Sequence, residues 1–390
     1  MRVTVWSGFL IRKTMDAAPI TSRLLLLFFA CLVHAADIPG GHVRAGVATN
    51  QMDDLSDHLA DLAFSLYRGL IADRPSENVL LSPLAISEAL AFLAEGSGSQ
   101  TRTEILSALG TTGREVWRDL ARSLSGEEGQ LHHLATGSSL HIEKTFGLSP
   151  KSQNHSRGDG KGAVRIHAVD FSNPQRAQES INSFIGRETR GNVSEFLQSL
   201  NTSAKSVLAN YMYFKGRWEQ PFARRHTVNW RFQVNETLVV EVPMMFRAES
   251  KELKMLYDTN CSSTVVRLPM NFWLNNLKSG WAEVRLPRFV LRKLYPLKTI
   301  LKPTGVRTLF TDSADLSGFT PHKKLGLQAL HEAILEVDET ELENHGAKDT
   351  MLDFSEPQRI VFDRPFTLLI YHEPTGAILL MGKITNPAEK

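Results

Sequence analysis

Apolar positions in the first half of the chain recur mainly at the spacing of an α-helix. Five leucines, three or four positions apart, predict an amphipathic helix that ends near residue 73; they are Leu55, Leu59, Leu62, Leu66 and Leu70. Ser82 followed by Pro83 is typical of a helix start and predicts a second helix to about residue 96. Further helices are predicted over residues 101–109, 115–124, 174–187 and 295–303.

Beyond Lys205 the apolar runs are short and mostly typical of β-strands. Residues 333–337, 366–371 and 377–381 predict three strands, the last two joined by a turn containing Pro374 and Gly376. Residues 340–359 show neither the apolar spacing of a helix nor that of a strand. A compact domain seldom carries so long a connection unless the loop has a function. Helices first and strands later, without βαβ alternation, predict an α+β fold.

Four segments, in this order, resemble the serpin family, and the resemblance runs from about residue 54 to 387. They are VLLSPLAIS at 79–87, ANYMYFKGRW at 209–218, VRLPRF at 284–289, and the closing signature FDRPF at 362–366 with MGK at 381–383. The resemblance implies a serpin fold, helices with three β-sheets, in a single domain over residues 36–390. The long loop would then be the reactive-centre loop that serpins present to proteases as bait. Residues 170–185 and 372–382 most resemble the plasminogen-activator-inhibitor group.

The N-terminus carries the pattern of a secretory leader. Residues 24–33 form an apolar run after Arg23, and Val33-His34-Ala35 places small residues at the positions that signal peptidase reads. The run is too short to span a bilayer, so a cleaved signal peptide over residues 1–35 is favoured over a membrane anchor. Met15 is an alternative start that would leave a more conventional leader. Both starts predict secretion.

Five sequons agree with an extracellular protein, and we expect glycosylation among them. Their acceptors are Asn154, Asn192, Asn201, Asn235 and Asn260. Cys31 would leave with the leader, so Cys261 would stand alone and no intrachain disulfide would form. We expect a monomer whose stability comes from its core, with Cys261 an inert thiol or a link to another molecule.

Composition and motifs exclude several function classes. The net charge is +2, with 22% charged and 42% apolar residues, so nothing calls for a nucleic acid or membrane partner. His331-Glu332 begins a zinc-protease motif, but Leu335 stands where the second histidine is needed, so no metal is expected. Neither a nucleophile elbow nor a phosphate-binding loop occurs. We therefore expect neither an enzyme nor a cofactor.

Two weaker signals concern extracellular ligands. Arg114, Arg118 and Arg122 recur every four residues on a predicted helix, which in some serpins binds heparin, so a sulfated glycosaminoglycan is a candidate partner. Glu115 and Asp119 are interspersed, so a solvated helix face is the alternative. Residues 157–159 form an Arg-Gly-Asp tripeptide, which could bind integrins or occur by chance.

The chain departs from the serpin pattern at two places. A polar, glycine-containing stretch at 150–162 stands where the family has a helix, and predicts a surface loop. After Pro269 roughly thirty residues are missing by that comparison, including an apolar central strand and a helix. We expect this loss to open a sheet edge and leave a cavity. A skipped exon or a faulty gene model would explain it.

The resemblance places the bait bond at Phe354-Ser355, counting back from Pro365. An exposed Phe suits the deep apolar primary pocket of chymotrypsin-like serine proteases, which are the expected partners. An inhibitor of plasminogen activators or thrombin would present Arg, but Arg359 lies too close to the following strand. An ordinary loop aromatic is the alternative for Phe354.

Inhibitory serpins trap the protease because the cut loop inserts into the main sheet as a new strand, which requires a small, uncharged hinge. This hinge begins Glu339, Thr340, Glu341, Leu342, and is charged and one residue short. Either register buries polar or charged side chains, at roughly 2–7 kcal/mol for each unpaired polar group. A non-inhibitory serpin that binds or carries a ligand is therefore the alternative function.

The resemblance also implies two polar clusters at matching positions of this chain. Ser82, Asn210 and His331 match the group under the main sheet that governs its opening, although the family's second serine there is Ala85. Glu339 and Arg288 match the ion pair that clamps the top of the loop, with Arg in place of the more usual Lys. A purely structural role is the alternative for all of them.

Overall fold

A computed structural model describes residues 6–13, 48–110, 132–150, 152, 164–201, 203–216, 218, 221–247, 253–258, 263–269, 278–280, 282–322, 325–339, 358–372 and 375–389. Among the helices of these residues, none is both long and apolar enough to cross a membrane.

The described helices follow the predicted pattern except at one place. They are α1 (Ala48–Asp73), α2 (Pro83–Gly96), α3 (Ser99–Leu109), α4 (Pro174–Glu188) and α5 (Leu297–Ile300). The prediction of a helix over 295–303 is wrong at its first two residues, because a strand continues through Pro296, and α5 itself has four residues. The helix predicted over 115–124 lies outside the described residues.

The described residues also form sixteen strands, numbered here in chain order. They are β1 (Trp6–Lys13), β2 (Val79–Leu81), β3 (His132–Glu143), β4 (Arg165–Val169), β5 (Ser206–Gly216), β6 (Val228–Gln233), β7 (Val239–Arg247), β8 (Leu253–Asp258), β9 (Ser263–Pro269), β10 (Lys278–Gly280), β11 (Ala282–Pro287), β12 (Phe289–Pro296), β13 (Leu327–Val337), β14 (Gln358–Val361), β15 (Phe366–His372) and β16 (Ile378–Ile384). They form three sheets, as predicted. The orders are β12-β13-β5-β3-β4, β14-β11-β7-β6, and β10-β8-β9-β1-β15-β16-β2.

The third sheet differs from the sequence expectation. The loss of a central strand after Pro269 is expected to open a sheet edge, but in this sheet β1 lies between β15 and β9 and pairs with both. A segment from the extreme N-terminus thus keeps this sheet continuous.

The largest core lies between the five-stranded and seven-stranded sheets. Helix α2 packs against β16 on one side and β3 and β5 on the other. Ser82 caps it, since its side-chain oxygen accepts from the backbone N–H of Ala85 at 3.1 Å. Nearly every residue of α2 is buried, which explains why its sequence is apolar all round rather than amphipathic. The start of α2 is therefore fixed directly beneath β5 and β13.

Candidate functional site

The five-stranded sheet has a parallel seam at its centre, formed by β5 and β13. It runs from Leu327 opposite Ser206 to Glu336 opposite Lys215. The pairs on either side, β12–β13 and β3–β5, are antiparallel. Parallel pairing is slightly less stable per residue than antiparallel pairing. Per residue, the seam is therefore the least stable of the three ladders that join β12, β13, β5 and β3.

A buried polar cluster crosses the middle of the seam. The Nδ1 of His331 on β13 lies 2.6 Å from the Oδ1 of Asn210 on β5. The Asn210 amide nitrogen donates to the carbonyl of Ala85 and to the hydroxyl of Ser138, both at 2.9 Å. The backbone N–H of Ser82 donates to Nε2 of His331 at 3.0 Å. The three residues predicted to share a cluster, Ser82, Asn210 and His331, are thus in hydrogen-bond contact.

These contacts fix the state of His331. Because Nε2 accepts from a backbone N–H, Nδ1 must carry the proton and donate to Asn210. Burial lowers the pKa of His331 to about 3, so its ring is neutral at physiological pH. Both ring nitrogens are thereby used, which leaves no lone pair for the zinc site that His331-Glu332 superficially suggests.

Ser138 on β3 is a member of this cluster that sequence reasoning missed. The family's second serine is Ala85 here, but the Ala85 carbonyl and the Ser138 hydroxyl take both Asn210 N–H groups. The register of β3 opposite β5 places Ser138 directly opposite Asn210. Only that register, and no local pattern, links the two residues.

A charged cluster closes the top of the seam. Lys215 Nζ, at the end of β5, lies 2.5 Å from Glu336 Oε1 and 2.6 Å from Asp338 Oδ2. Burial alone would lower the pKa of Lys215, but its hydrogen bonds to Asp338 and Glu336 outweigh burial and raise it to about 12. Tyr213 donates to the other oxygen of Glu336 at 2.9 Å. No local sequence pattern predicts this cluster, since Lys215 is 121 residues from Glu336.

Glu339, the last described residue before the long loop, is held from three directions. Its carboxylate oxygen Oε1 accepts from the Thr227 hydroxyl at 2.7 Å and lies 3.4 Å from Nη1 of Arg288. Its backbone carbonyl accepts from the N–H of Phe222 at 3.2 Å. The Glu339 side chain is 2% exposed and that of Arg288 is 43% exposed. The predicted clamp pair is therefore in contact, with Thr227 as a further partner.

A second ion pair on β13 faces β12. Arg292 binds the buried carboxylate of Glu332 and donates to the backbone carbonyl of Ser194. Burial raises the pKa of Glu332, and the hydrogen bond and charge of Arg292 oppose that rise. The pair ties β13 to its outer neighbour, so β13 is anchored on both sides.

The loop itself begins and ends on two different sheets. It leaves the five-stranded sheet after β13 and returns at β14, which pairs in parallel with β11 in the four-stranded sheet. Residues 340–357 between them lie outside the described residues, and so do the predicted bait bond Phe354-Ser355 and the hinge residues Thr340, Glu341 and Leu342.

Several other predicted sites lie outside the described residues. They are Arg114, Arg118 and Arg122, the tripeptide at 157–159, Cys261, and the acceptors Asn154 and Asn260. The acceptors Asn192, Asn201 and Asn235 are described and exposed. The side-chain oxygens of Asn201 and Asn235 accept from the backbone N–H two residues on, each at 3.0 Å.

Comparison with known proteins gives consistent matches along most of the chain. The model of one family, described as serpin (serine protease inhibitor), matches residues 57–272 and 269–387. Pig alpha-1-antitrypsin is 32% identical over 376 residues, covering 86% of this chain and 88% of the relative. Human serpin A9 is 31% identical over 372 residues, covering 84% and 88%. The structure of human thyroxine-binding globulin superposes with a TM-score of 0.75 at 29% identity, covering 87% of this chain and 100% of that chain.

These relatives bear on the predicted subgroup. Alpha-1-antitrypsin and serpin A9 are matched over most of their length, and the comparisons give no specific support for placement in the plasminogen-activator-inhibitor group.

Proposed function

This chain belongs to the serpin family, and we propose that it is a secreted inhibitor of chymotrypsin-like serine proteases that presents Phe354-Ser355 as its bait bond. The observation that supports this most is the closed parallel seam between β5 and β13, with a loop of eighteen residues, 340–357, leaving directly from its top. The loop is therefore tied to the place where a further strand can enter.

The chemistry of cleavage comes from the protease. Its serine hydroxyl attacks the carbonyl carbon of Phe354, the bond to the nitrogen of Ser355 breaks, and an acyl-enzyme forms on Phe354. The phenyl ring fills the apolar primary pocket. The N-terminal half of the loop, still joined to β13 through Glu339, is then free to fold back.

The geometry of the seam favours insertion of that half. A strand folding back from the end of β13 runs antiparallel to β13, and also to β5, because β5 and β13 are parallel. One parallel ladder is thereby exchanged for two antiparallel ladders, which are more stable per residue. Insertion carries Phe354, whose carbonyl is esterified to the protease serine, away from the loop's original position, and deacylation is prevented if insertion is faster than hydrolysis.

The contacts that hold the seam closed oppose insertion. The His331–Asn210 hydrogen bond and the cluster of Lys215 with Glu336 and Asp338 both span β5 and β13. Each must break before a strand enters, so these two clusters set the opening rate in our proposal. The clamp on Glu339 holds the root of the loop in the same way.

The charged hinge supports a second candidate, a non-inhibitory serpin that binds or carries a ligand. Insertion would bury Glu341, Glu343 and Asp349 in one register and Lys348 in the other, and unpaired buried charges oppose folding strongly. Thyroxine-binding globulin, whose name states that it binds thyroxine, has the same fold. The chain would then be cleaved at the loop without retaining the protease.

We place the protein outside the cell as a glycosylated monomer, with a sulfated glycosaminoglycan as a further candidate partner through Arg114, Arg118 and Arg122. The relatives named above and the exposed acceptors Asn192, Asn201 and Asn235 support this setting. Digestion with endoglycosidase and binding to heparin resin, with and without the three arginines, test these points.

Limited proteolysis tests the bait bond. We expect chymotrypsin to cut the folded protein first at Phe354-Ser355, giving a new N-terminus at Ser355, and a Phe354→Arg variant to be cut there by trypsin instead. If another bond of the loop is cut first, the assignment of Phe354 as the bait residue is wrong. Scattered cleavage over the whole chain would mean that the protein does not fold.

A further inference from the structure

The N-terminal strand β1 occupies an interior position of the seven-stranded sheet. Its residues pair antiparallel with β15 from Trp6 opposite His372 to Arg12 opposite Phe366. On its other side it pairs antiparallel with β9 from Ser7 opposite Pro269 to Lys13 opposite Ser263. Its backbone is therefore engaged along both edges.

The neighbour β15 could not remain unpaired without cost. Phe366, Leu368 and Ile370 are at most 4% exposed, and β15 has only β16 as its other neighbour. Removal of β1 would leave the backbone N–H and C=O groups on the facing edges of β15 and β9 without their strand partners. Unpaired strand edges of this kind take up another strand readily.

The segment comes from outside the part of the chain that matches the family. The two matched stretches, 57–272 and 269–387, meet just after β9, where the sequence comparison predicts a missing strand. The first match begins at residue 57, well after β1. The sequence of β1, WSGFLIRK, carries aromatic and β-branched residues that favour strands.

We propose that the gap between β9 and β15 is a strand-acceptor site whose occupant is the chain's own segment Trp6–Lys13. The unprocessed chain fills the site in cis. A chain begun at Met15, or cleaved after Ala35, has the site open and binds the same segment in trans, antiparallel to both neighbours. This inference does not depend on the bait bond. It implies that N-terminal processing determines whether the seven-stranded sheet has all of its strands.

Hydrogen exchange on the full chain, made in a membrane-free translation system so that no leader is removed, tests the cis form. We expect the amides of residues 6–13 to be protected together with those of residues 366–372. In a Leu10→Pro variant we expect protection of residues 366–372 to fall at least about tenfold, because Pro cannot donate within a central strand. The matched control, Ala17→Pro, lies outside β1 and should leave protection unchanged. Free exchange of residues 6–13 in a folded full chain would overturn the proposal.

Peptide addition tests the trans form. To the chain 36–390 we would add either the peptide WSGFLIRK or its reversed sequence, KRILFGSW. We expect only the first to raise the melting temperature and the protection of residues 366–372, increasing with concentration as mass action requires. Equal protection of residues 366–372 in chain 36–390 and in the full chain, without peptide, would refute the site. If the chain 36–390 fails to fold in the presence of either peptide, hydrogen exchange of the Leu10→Pro full chain decides whether the site exists.

Discussion

His331 donates a 2.6 Å hydrogen bond to Asn210, and these two residues are also direct register partners across β13 and β5. The central seam of the main sheet is therefore held by side chains at the same point where its backbones pair. Asn210 in turn binds the start of α2 through the Ala85 carbonyl. Separating β5 from β13 must break the His331–Asn210 hydrogen bond together with the backbone ladder.

Asn210→Ala should destabilise the protein by roughly 1–3 kcal/mol, since it leaves the Nδ1–H of His331 buried without its hydrogen-bond acceptor. Urea unfolding of the bacterially produced protein measures the change. Asn192→Ala, at an exposed position, is the matched control and should stay within about 0.5 kcal/mol. Equal effects of the two substitutions would contradict the cluster's role in stability.

His331 should make the stability fall in acid. Its folded pKa is about 3, below the usual 6.5, so between these values the unfolded chain binds a proton that the folded protein does not. Stability from this group is complete above about pH 6.5 and is lost as the pH falls towards 3, by up to roughly 1.4 kcal/mol per pH unit.

His331→Gln removes the titration while keeping a donor and an acceptor. The difference in unfolding free energy between wild type and variant should therefore shrink from pH 7 to pH 4. His141, also buried with a pKa of about 3, contributes the same slope to both proteins and cancels. A difference that is constant with pH would show that His331 is not held neutral.

Lys215→Met should loosen the top of the seam. The substitution leaves the half-buried Glu336 and Asp338 facing each other without their shared cation, and we expect a loss of about 1–3 kcal/mol. Hydrogen exchange should show the amides of residues 334–339 opening faster. Lys144→Met removes an exposed pair with Asp170 and should leave those amides unchanged. Unaltered exchange in Lys215→Met would rule out this cluster as a lock.

The charged hinge should limit how much protease is trapped. A triple variant, Glu341→Ala, Glu343→Ala and Asp349→Ala, removes the charges that insertion would bury, so insertion should become faster relative to deacylation. We expect a larger adduct fraction per chain cleaved. Substitution of three exposed acidic residues elsewhere, Asp61, Glu179 and Glu241, by Ala is the charge-matched control. An equal rise in both would trace the effect to net charge.

The sequence predicted best the features that local pattern encodes. The leucine repeat predicted α1, and Ser82-Pro83 predicted the start of α2, because helix periodicity and capping are short-range properties. The short helix α5 was overestimated because Tyr295 remains in β12, where its hydroxyl accepts from the N–H of Leu80 at 3.3 Å. That contact spans 215 residues, and no local pattern contains it.

The site was predictable only as far as the family resemblance reached. Ser82, Asn210, His331 and the Glu339–Arg288 pair follow from matched positions, whereas Ser138 and the Lys215 cluster depend on strand register. Strand β1 could not be predicted at all, because its residues resemble the start of a leader and its partners lie at least 250 positions away.

The most direct test of the proposed function is to incubate the secreted protein with chymotrypsin and separate the products on a denaturing gel. Intact mass then identifies each band. Our account predicts an SDS-stable adduct in which the protease is acylated by Phe354, alongside chains cut at Phe354-Ser355 and released. Complete cleavage at that bond with no adduct and fully active protease would contradict inhibition and favour the non-inhibitory carrier.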